Sequence, residues 1–495
     1  AVTLVAEINR TFHCALTLKD IFHYSTLRAL SARIAQQSIT DAAASQDDWV
    51  IVHDPEHRHQ PFPLTDVQRA YWLGRQTGAT SIATHIYHEF DVEHFNVTRF
   101  THAVNALIAR HEMLRARVLP DGTQQILAQV PAYQLEQRDL SALSPNARND
   151  ALMAIRDRLS HHVHPADRWP LFDFSYSACT AQHGRLHFSL DLLIADALSM
   201  RTLQQELMML YREPHVSLPL LPFSFRDYVQ ALLVEQASEA YARDQAYWQR
   251  ALPQLYGPPT LPVQGDLAQL SAIRFVRRRH RLSAHNWGVL SALAQRTRIT
   301  KTALLLTVFS QVLARWSLSP TFTLNLTLFN RPQGYPNAEA VIGDFTAVSL
   351  LNVCYDSQHS YAHNAQRIQV QLWEDLEHRR FSGIRASEAL IHSGRFHAPM
   401  PVVFTSMLDI DGETTAQDPR DTTRFTLCPD ANITQTPQVW LDHQVIELAG
   451  ELHFNWDAVE QLFDTTLLDQ MFGAYCHALQ ALVAMPQRWW EVTSS

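Results

Sequence analysis

The chain predicts an α/β fold in two successive units behind a short helical element. Two observations carry this prediction. Apolar residues recur at helical spacing through 98–110, 149–160, 300–316 and 458–484. Between these stretches lie strand-like apolar runs: LHFSL at 186–190, FTLNLTLF at 322–329, VSLLNV at 348–353, PVVFTSML at 401–408 and ELHFNW at 451–456. With 495 residues, 46% of them hydrophobic, the chain has enough apolar material for more than one core.

In order along the chain, residues 1–36 place Leu4, Val5, Ile8 and Phe12 on one stripe and Leu27, Leu30 and Ile34 on another, with Leu18, Ile21 and Phe22 between them. This predicts a small helical element. Residues 37–60 are polar, histidine-rich and proline-marked, which is linker composition with one apolar patch at 49–52. A first α/β unit spans 61–235 and a second 236–495. Within the second, 409–436 is rich in Asp, Thr and Pro and reads as a loop or excursion. No repeat of fixed period is visible, although two units of comparable size permit a structural pseudo-repeat.

Composition excludes several function classes. The net charge is −9, which disfavours sequence-independent binding driven by counterion release from a nucleic-acid backbone. The five cysteines, Cys14, Cys179, Cys354, Cys428 and Cys476, are scattered without CxxC spacing, which suggests neither a disulfide framework nor a zinc site and fits a reducing cytoplasm. No apolar run approaches the roughly 20 residues that cross a bilayer. The opening AVTLVAEINR carries Glu7 and Arg10, unlike a signal peptide, and the absence of an initial Met suggests a piece of something longer. No GxGxxG or Walker-type glycine run offers a nucleotide site.

The chemistry-bearing segment is LHFSLDLLIADALSM at 186–200, an apolar strand followed by Asp191, Asp196 and Ser199 as DxxxxDxxS. Alone, that pattern is weak. The chain as a whole resembles the heterocyclization (cyclization) domains of nonribosomal peptide synthetases, relatives of condensation domains in which both histidines of the His-His-x-x-x-Asp-Gly motif are replaced. WPLFDF at 169–174 lies upstream at the expected distance. The other signatures follow in order over about 430 residues: FPLTDVQRAYWLGR (62–75), RHEMLRAR (110–117), LFNRP (328–332), GDFTAVSLL (343–351), PVVFTSML (401–408) and TQTPQVWLDHQ (434–444). Residues 1–36 resemble the last helices of an acyl or peptidyl carrier domain, whose pantetheine-bearing serine would lie before Ala1, so this remnant is expected not to carry substrate.

The resemblance implies two chloramphenicol-acetyltransferase-like α/β lobes in a V with a tunnel between them. It implies condensation of a carrier-bound acyl thioester with a carrier-bound Cys, Ser or Thr, then cyclodehydration to a thiazoline or oxazoline, in a setting such as siderophore synthesis. Partners would be upstream and downstream carrier domains and an adjacent adenylation domain. No cofactor would bind directly, because substrates arrive on the carriers' phosphopantetheine. By the resemblance, Thr405 and Asp442 perform cyclodehydration. On the residues alone they read as a strand-end threonine and a loop aspartate capping backbone amides. Trp440 and Leu441 beside Asp442 are expected to desolvate its carboxyl and raise its pKa toward a useful acid–base range.

In related domains the motif aspartate is held by an arginine, so Asp196 is expected to be mainly structural. Asp191 is expected at the mouth of the cleft, where it would orient the amine. Ser199 reads as an N-cap or loop hydrogen bond, with no motif histidine to activate it. Asn330, Arg331 and Asp344 suit either a turn or a tunnel wall. Gln435 and Gln438 are candidates to bond the nascent ring carbonyl.

HHVHPAD at 161–167 tempts a reading as the histidine motif of condensation domains or as a metal site, but its spacing to Asp167 is one residue too long and it follows a helical pattern, so it reads as solvated helix-end histidines, with no metal site assigned. Three rivals remain: an ordinary amide-forming condensation domain, disfavoured by the missing double histidine; a non-catalytic docking platform; and a free acyl-CoA acyltransferase of the same fold.

Overall fold

The computed structural model describes all residues except 1, 13, 15, 25, 37–49, 77–83, 266–269, 271–272, 333, 409–422, 429–430 and 493–495. Alternation of polar and apolar side chains is what builds its two main sheets. In Thr321–Phe329, Phe322, Leu324 and Leu326 are buried against helices, while Thr323, Asn325 and Thr327 face the other way. The sheet containing this strand has six members in the order Thr346–Cys354, Thr321–Phe329, Val402–Met407, Leu441–Leu448, Glu451–Val459, Phe275–Leu282. Val402–Met407 runs parallel to both of its neighbours.

The helix Lys301–Trp316 covers the apolar face of this C-terminal sheet. Thr300 caps it by accepting from the amide of Ala303. Leu304, Leu305, Val308, Phe309 and Leu313 are all buried, because the helix lies beneath Tyr361–Glu377 and Thr465–Ala484. His443 points into this core among Phe309, Phe404, Trp456 and Tyr475, where burial holds its imidazole neutral.

The N-terminal sheet runs Arg424–Leu427, His85–Glu93, His183–Asp191, Phe172–Ala178, Glu136–Asp139, and Ile433–Gln435 also pairs with His85–Glu93. Val97–Arg110 and Ala197–Arg212 pack against it through Phe100, Val104, Leu107, Leu203 and Leu207. A three-stranded sheet of Phe62–Pro63, Thr123–Ile126 and Ala116–Val118 lies beside it.

The expected helices and strands appear within a few residues, with three corrections. The segment 409–436 is not simply a loop. Residues 409–422 lie outside the described residues, but Arg424–Leu427 and Ile433–Gln435 are strands that the C-terminal half lends to the N-terminal sheet. The expected helix at 458–484 begins only at Thr465, because Ala458 and Val459 finish a strand and Glu460–Leu462 forms a 3₁₀ turn. At the N-terminus the helices Val2–Phe12, Leu18–His23 and Leu27–Gln36 form, yet Leu4, Phe12 and Leu27 are exposed. Three short helices cannot cover both stripes. Most of the expected linker, 37–49, lies outside the described residues. Lys19 pairs with Glu374, setting the helix Leu18–His23 against Tyr361–Glu377.

Candidate active site

The polar face of the C-terminal sheet carries two adjacent rows of side chains in register. One row is Asn325, Val403, Asp442, Asp457 and Arg277; the next is Thr327, Thr405, Gln444, Asn455 and Arg279. Residues paired across a ladder share a face, so strand pairing alone brings Asp442, Thr405, Thr327 and Gln444 together. They line a cavity of about 160 Å³. Its other walls are Val67 and Tyr71 of the helix Asp66–Gln76, Ile86, Leu192, and the returning segment 434–439. The lining is mainly apolar.

Asp442 is the second residue of Leu441–Leu448 and is 7% exposed. Its Oδ2 accepts from Gln444 Nε2 at 2.5 Å, and its Oδ1 stands 3.2 Å from Thr405 Oγ1, which is 2.9 Å from Thr327 Oγ1. Burial pushes the Asp442 carboxyl up to about 7. The neighbouring Asp457 pushes the same way, while Gln444, Thr405 and Arg277 oppose it. A carboxyl in that range exchanges a proton near neutral pH, which is what acid–base catalysis needs. Position matters as much as the shift: Asp375 also reaches about 7, but it is tied to Tyr247 and Gln371 and does not line this cavity. The phenol of Tyr71 is raised by burial and by the nearby Asp344, Asp442 and Asp196, so it is a neutral hydroxyl on the opposite wall.

The other expected residues divide. Asp196 caps Ala197–Arg212 by accepting from the Ser199 amide at 2.6 Å, and Arg331 Nη2 donates to it at 2.9 Å, an arginine hold of the kind expected. Ser199 is not the cap. Its hydroxyl bonds the Gly343 carbonyl and accepts from Arg331, both at 2.9 Å. Asp344, beside Gly343, is fully buried, and burial raises its carboxyl.

Asp191 is corrected. It is 1% exposed, accepts from Arg75 Nη2 at 2.5 Å and from the Leu193 amide at 2.9 Å, and does not line the cavity. Its carboxylate is used up by a buried cation, so it is not at the mouth of the cleft. Asn330 borders a separate cavity near Tyr228 and Arg380, where its carbonyl accepts from Tyr228. Gln435 gives its amide to the Ser160 carbonyl at 2.9 Å and does not line the cavity, so of these two glutamines Gln438 alone is on the wall, in a left-handed conformation with φ of 65°. Thr405 lies within its strand, not at its end.

Of the histidines in HHVHPAD, His161 ends the helix Pro145–Ser160, but His164 is buried rather than solvated. It stands 3.4 Å from Ser189 Oγ, and burial lowers it to about 4. Among the described residues, no group of three or more His, Cys, Asp or Glu is placed to hold a metal ion. No helix among them is long and apolar enough to cross a membrane.

Sequence reading missed Thr327, Gln444 and Tyr71. Gln444 was within reach: it stands two residues after Asp442, on the same strand face. Thr327 is placed by a partner strand 78 residues away.

A family model described as Condensation domain matches residues 58–490, and one described as Phosphopantetheine attachment site matches 1–34. Pyochelin synthetase PchF of Pseudomonas aeruginosa is 36% identical over 454 residues, 88% of this chain and 24% of that protein. Phenyloxazoline synthase MbtB of Mycolicibacterium paratuberculosis is 36% identical over 456 residues, 91% of this chain and 38% of that protein. Bacitracin synthase 1 of Bacillus licheniformis is 32% identical over 495 residues, and this chain spans only 9% of its length. Among solved structures, the EpoB cyclization-docking bidomain of Sorangium cellulosum superposes with a TM-score of 0.83 at 34% identity, covering 98% of this chain and 99% of that one. The two-sheet fold, the carboxyl–threonine pair on the sheet face and these likenesses agree, and the chain belongs to the condensation-domain family of nonribosomal peptide synthetases, in its cyclization branch.

Proposed function

We propose that this chain joins a carrier-bound acyl thioester to a carrier-bound cysteine, serine or threonine and then closes the product to a thiazoline or oxazoline. The observation that carries this reading is the buried Asp442 carboxyl, poised near neutral pH and bonded to Gln444 and Thr405 on the wall of an apolar cavity. The strand end that holds two histidines in ordinary condensation domains carries Asp191 and Leu192 here, and Asp191 is neutralised by Arg75.

In the first step the acceptor amine attacks the thioester carbonyl, the C–S bond breaks, and the donor pantetheine thiol leaves with a proton. Holding both tethered substrates in one cavity is the main aid to this step, and such positioning lowers a barrier by roughly 7–11 kcal/mol. In the second step the side-chain thiol or hydroxyl adds to the new amide carbon and its proton passes to the former carbonyl oxygen, which becomes a hydroxyl. In the third, the former carbonyl oxygen leaves as water and the nitrogen loses its proton to form the C=N bond. Neutral Asp442 donates to the departing oxygen. The resulting carboxylate accepts the proton from nitrogen, so the enzyme returns to its starting state. Thr405 orients the carboxyl, and Gln438 borders the same space.

The partners in this reading are carrier domains on both sides and an adenylation domain of the same synthetase, in the cytoplasm. The pyochelin and phenyloxazoline relatives favour siderophore assembly as the setting. The domain limits 1–36, 37–60, 61–235 and 236–495 belong to the proposal, with the strands 424–427 and 433–435 reaching back into the first lobe's sheet.

The test is reconstitution with one carrier primed with benzoyl-pantetheine or another acyl donor and a second with cysteinyl-pantetheine, read by intact-protein mass. A product one water lighter than the linear amide supports the reading. A product that stops at the amide favours plain condensation, and no condensation with competent carriers favours a docking platform.

A further inference from the structure

The row that holds Asp442 continues into a buried ion pair. Asp457 lies directly opposite Asp442 in the antiparallel ladder, and Arg277 lies opposite Asp457 on the next strand. Arg277 grips Asp457 with two bonds, Nε to Oδ1 at 2.7 Å and Nη2 to Oδ2 at 2.5 Å. Asp457 is fully buried, and the Arg277 side chain is 17% exposed. The pair also holds a residue of the other sheet. The Thr434 amide donates to Asp457 Oδ2 at 3.3 Å, and Arg277 Nη2 donates to Thr434 Oγ1 at 3.4 Å. Thr434 is itself paired with Ile86 in the N-terminal sheet, and both residues line the Asp442 cavity. The ion pair therefore fastens the returning segment, with Thr436, Pro437 and Gln438, to the strand beside the carboxyl.

We propose that Asp457 and Arg277 are positioning residues for ring closure: their ion pair pins the cavity wall at Thr434 to the C-terminal sheet and balances the charge felt by Asp442. The proposal rests on the cyclodehydration reading above. A charged pair in this place is costly to desolvate, and an apolar pair would fasten two strands as well. What an apolar pair would not do is set opposing fields on a neighbouring acid. The carboxylate of Asp457 favours neutral Asp442, and the guanidinium of Arg277 disfavours it.

Among the described residues, the polar and charged groups around Asp442 are few. Its own strand offers Gln444, the strand Val402–Met407 offers Thr405, and the helix Asp66–Gln76 offers the neutral phenol of Tyr71. The two outer strands offer Asp457 and Arg277. His88, near Arg277, is held neutral by burial. Removing either member of the ion pair thus leaves the other as the dominant charge, and the two removals act in opposite directions.

The experiment follows ring closure of a preformed N-benzoylcysteinyl thioester on its carrier as a function of pH, for this chain and for Asp457→Asn, Arg277→Gln, the double variant and Arg277→Lys. Wild type is expected to lose activity on the alkaline side as Asp442 ionises. Asp457→Asn is expected to move that edge to lower pH, costing about tenfold in ring closure just above neutrality per unit of displacement. Arg277→Gln is expected to move it to higher pH, and the double variant to return it close to wild type. Arg277→Lys keeps the charge but not the two-bond grip, so its edge stays in place while its rate falls; it carries the test if the single neutralising variants do not fold.

Edges that do not move while rates fall, or that move in the same direction in both single variants, overturn the proposal and leave the pair a purely structural tie. An edge displaced in Arg277→Lys overturns it as well. If wild type itself never loses water from the linear substrate, the cyclodehydration reading fails instead, which separates the two failures.

Discussion

The carboxyl of Asp442 stands 3.2 Å from the hydroxyl of Thr405, on adjacent parallel strands whose register places Thr405 beside Gln444 and Asp442 beside Val403. A hydroxyl carries one proton and two acceptor sites, so Thr405 bridges Asp442 and Thr327 and fixes which way the carboxyl faces. Replacing Asp442 by Ala is expected to slow ring closure by about 10²–10⁴-fold, the usual value of a positioned acid–base group. Amide formation should survive within severalfold. Thr405→Val, which keeps shape and loses the hydroxyl, should fall in the same direction by a smaller factor. Intact-mass analysis of carrier-bound products reads both steps, and equal loss of amide and ring would contradict the assignment.

Ring closure should need neutral Asp442, whose carboxyl is pushed up to about 7 by burial. The rate is therefore expected to decline as pH rises through about 7. The same shift bears on stability. The folded carboxyl holds its proton more tightly than the unfolded one, so its contribution is fully present below the ordinary carboxylate range near pH 4 and is lost as pH rises toward 7. Asp442→Asn has no charge to bury. It should gain on wild type in thermal melts between pH 4 and 8, and a constant difference across that range would count against the raised value.

Asp191 and Arg75 are buried together, with side chains 2% and 7% exposed. Asp191→Ala leaves a buried guanidinium without its partner, which typically costs about 3–5 kcal/mol. A large fall in melting temperature is expected, with the ratio of cyclised to linear product unchanged in whatever protein stays folded. A changed ratio at unchanged stability would return Asp191 to the chemistry.

Gly74, in the helix Asp66–Gln76, faces Pro437 of the returning segment so closely that an added Cβ would lie 2.6 Å from the proline Cβ. Neither a helix backbone nor a proline ring yields easily, and such overpacking costs about 1–3 kcal/mol. Gly74→Ala is expected to displace Pro437 and Gln438 and to lower ring closure more than amide formation. Parallel measurement of both products checks this, and an unaltered cyclisation rate would mean the wall is not held by this contact.

The sequence by itself determined the family and the two α/β units, which are legible because they are local: strand alternation at 322–329 and ordered motifs read directly along the chain. The sequence also predicts a raised Asp442 carboxyl, but from the neighbours Trp440 and Leu441; neither lines the cavity, and Leu441 is buried in the core on the opposite face, so it is the cavity walls brought by other elements that desolvate the carboxyl. The arginine hold on Asp196 followed from the resemblance. What tertiary structure decided was which polar groups meet. Asp191 and Asp442 are both aspartates at the ends of apolar strands, yet one is neutralised by Arg75 from a distant helix and the other is left facing a cavity. Gln435 and Gln438 are three residues apart, yet one is spent on Ser160 and the other borders the site. Thr327, Thr405, Gln444, Asp457 and Arg277 come from five strands, and no periodicity in any one of them reports the register that aligns them. Register is fixed by the burial of opposite-face residues such as Phe404, Val445 and Phe454 against the helices, an energy summed over the whole sheet and absent from any single segment.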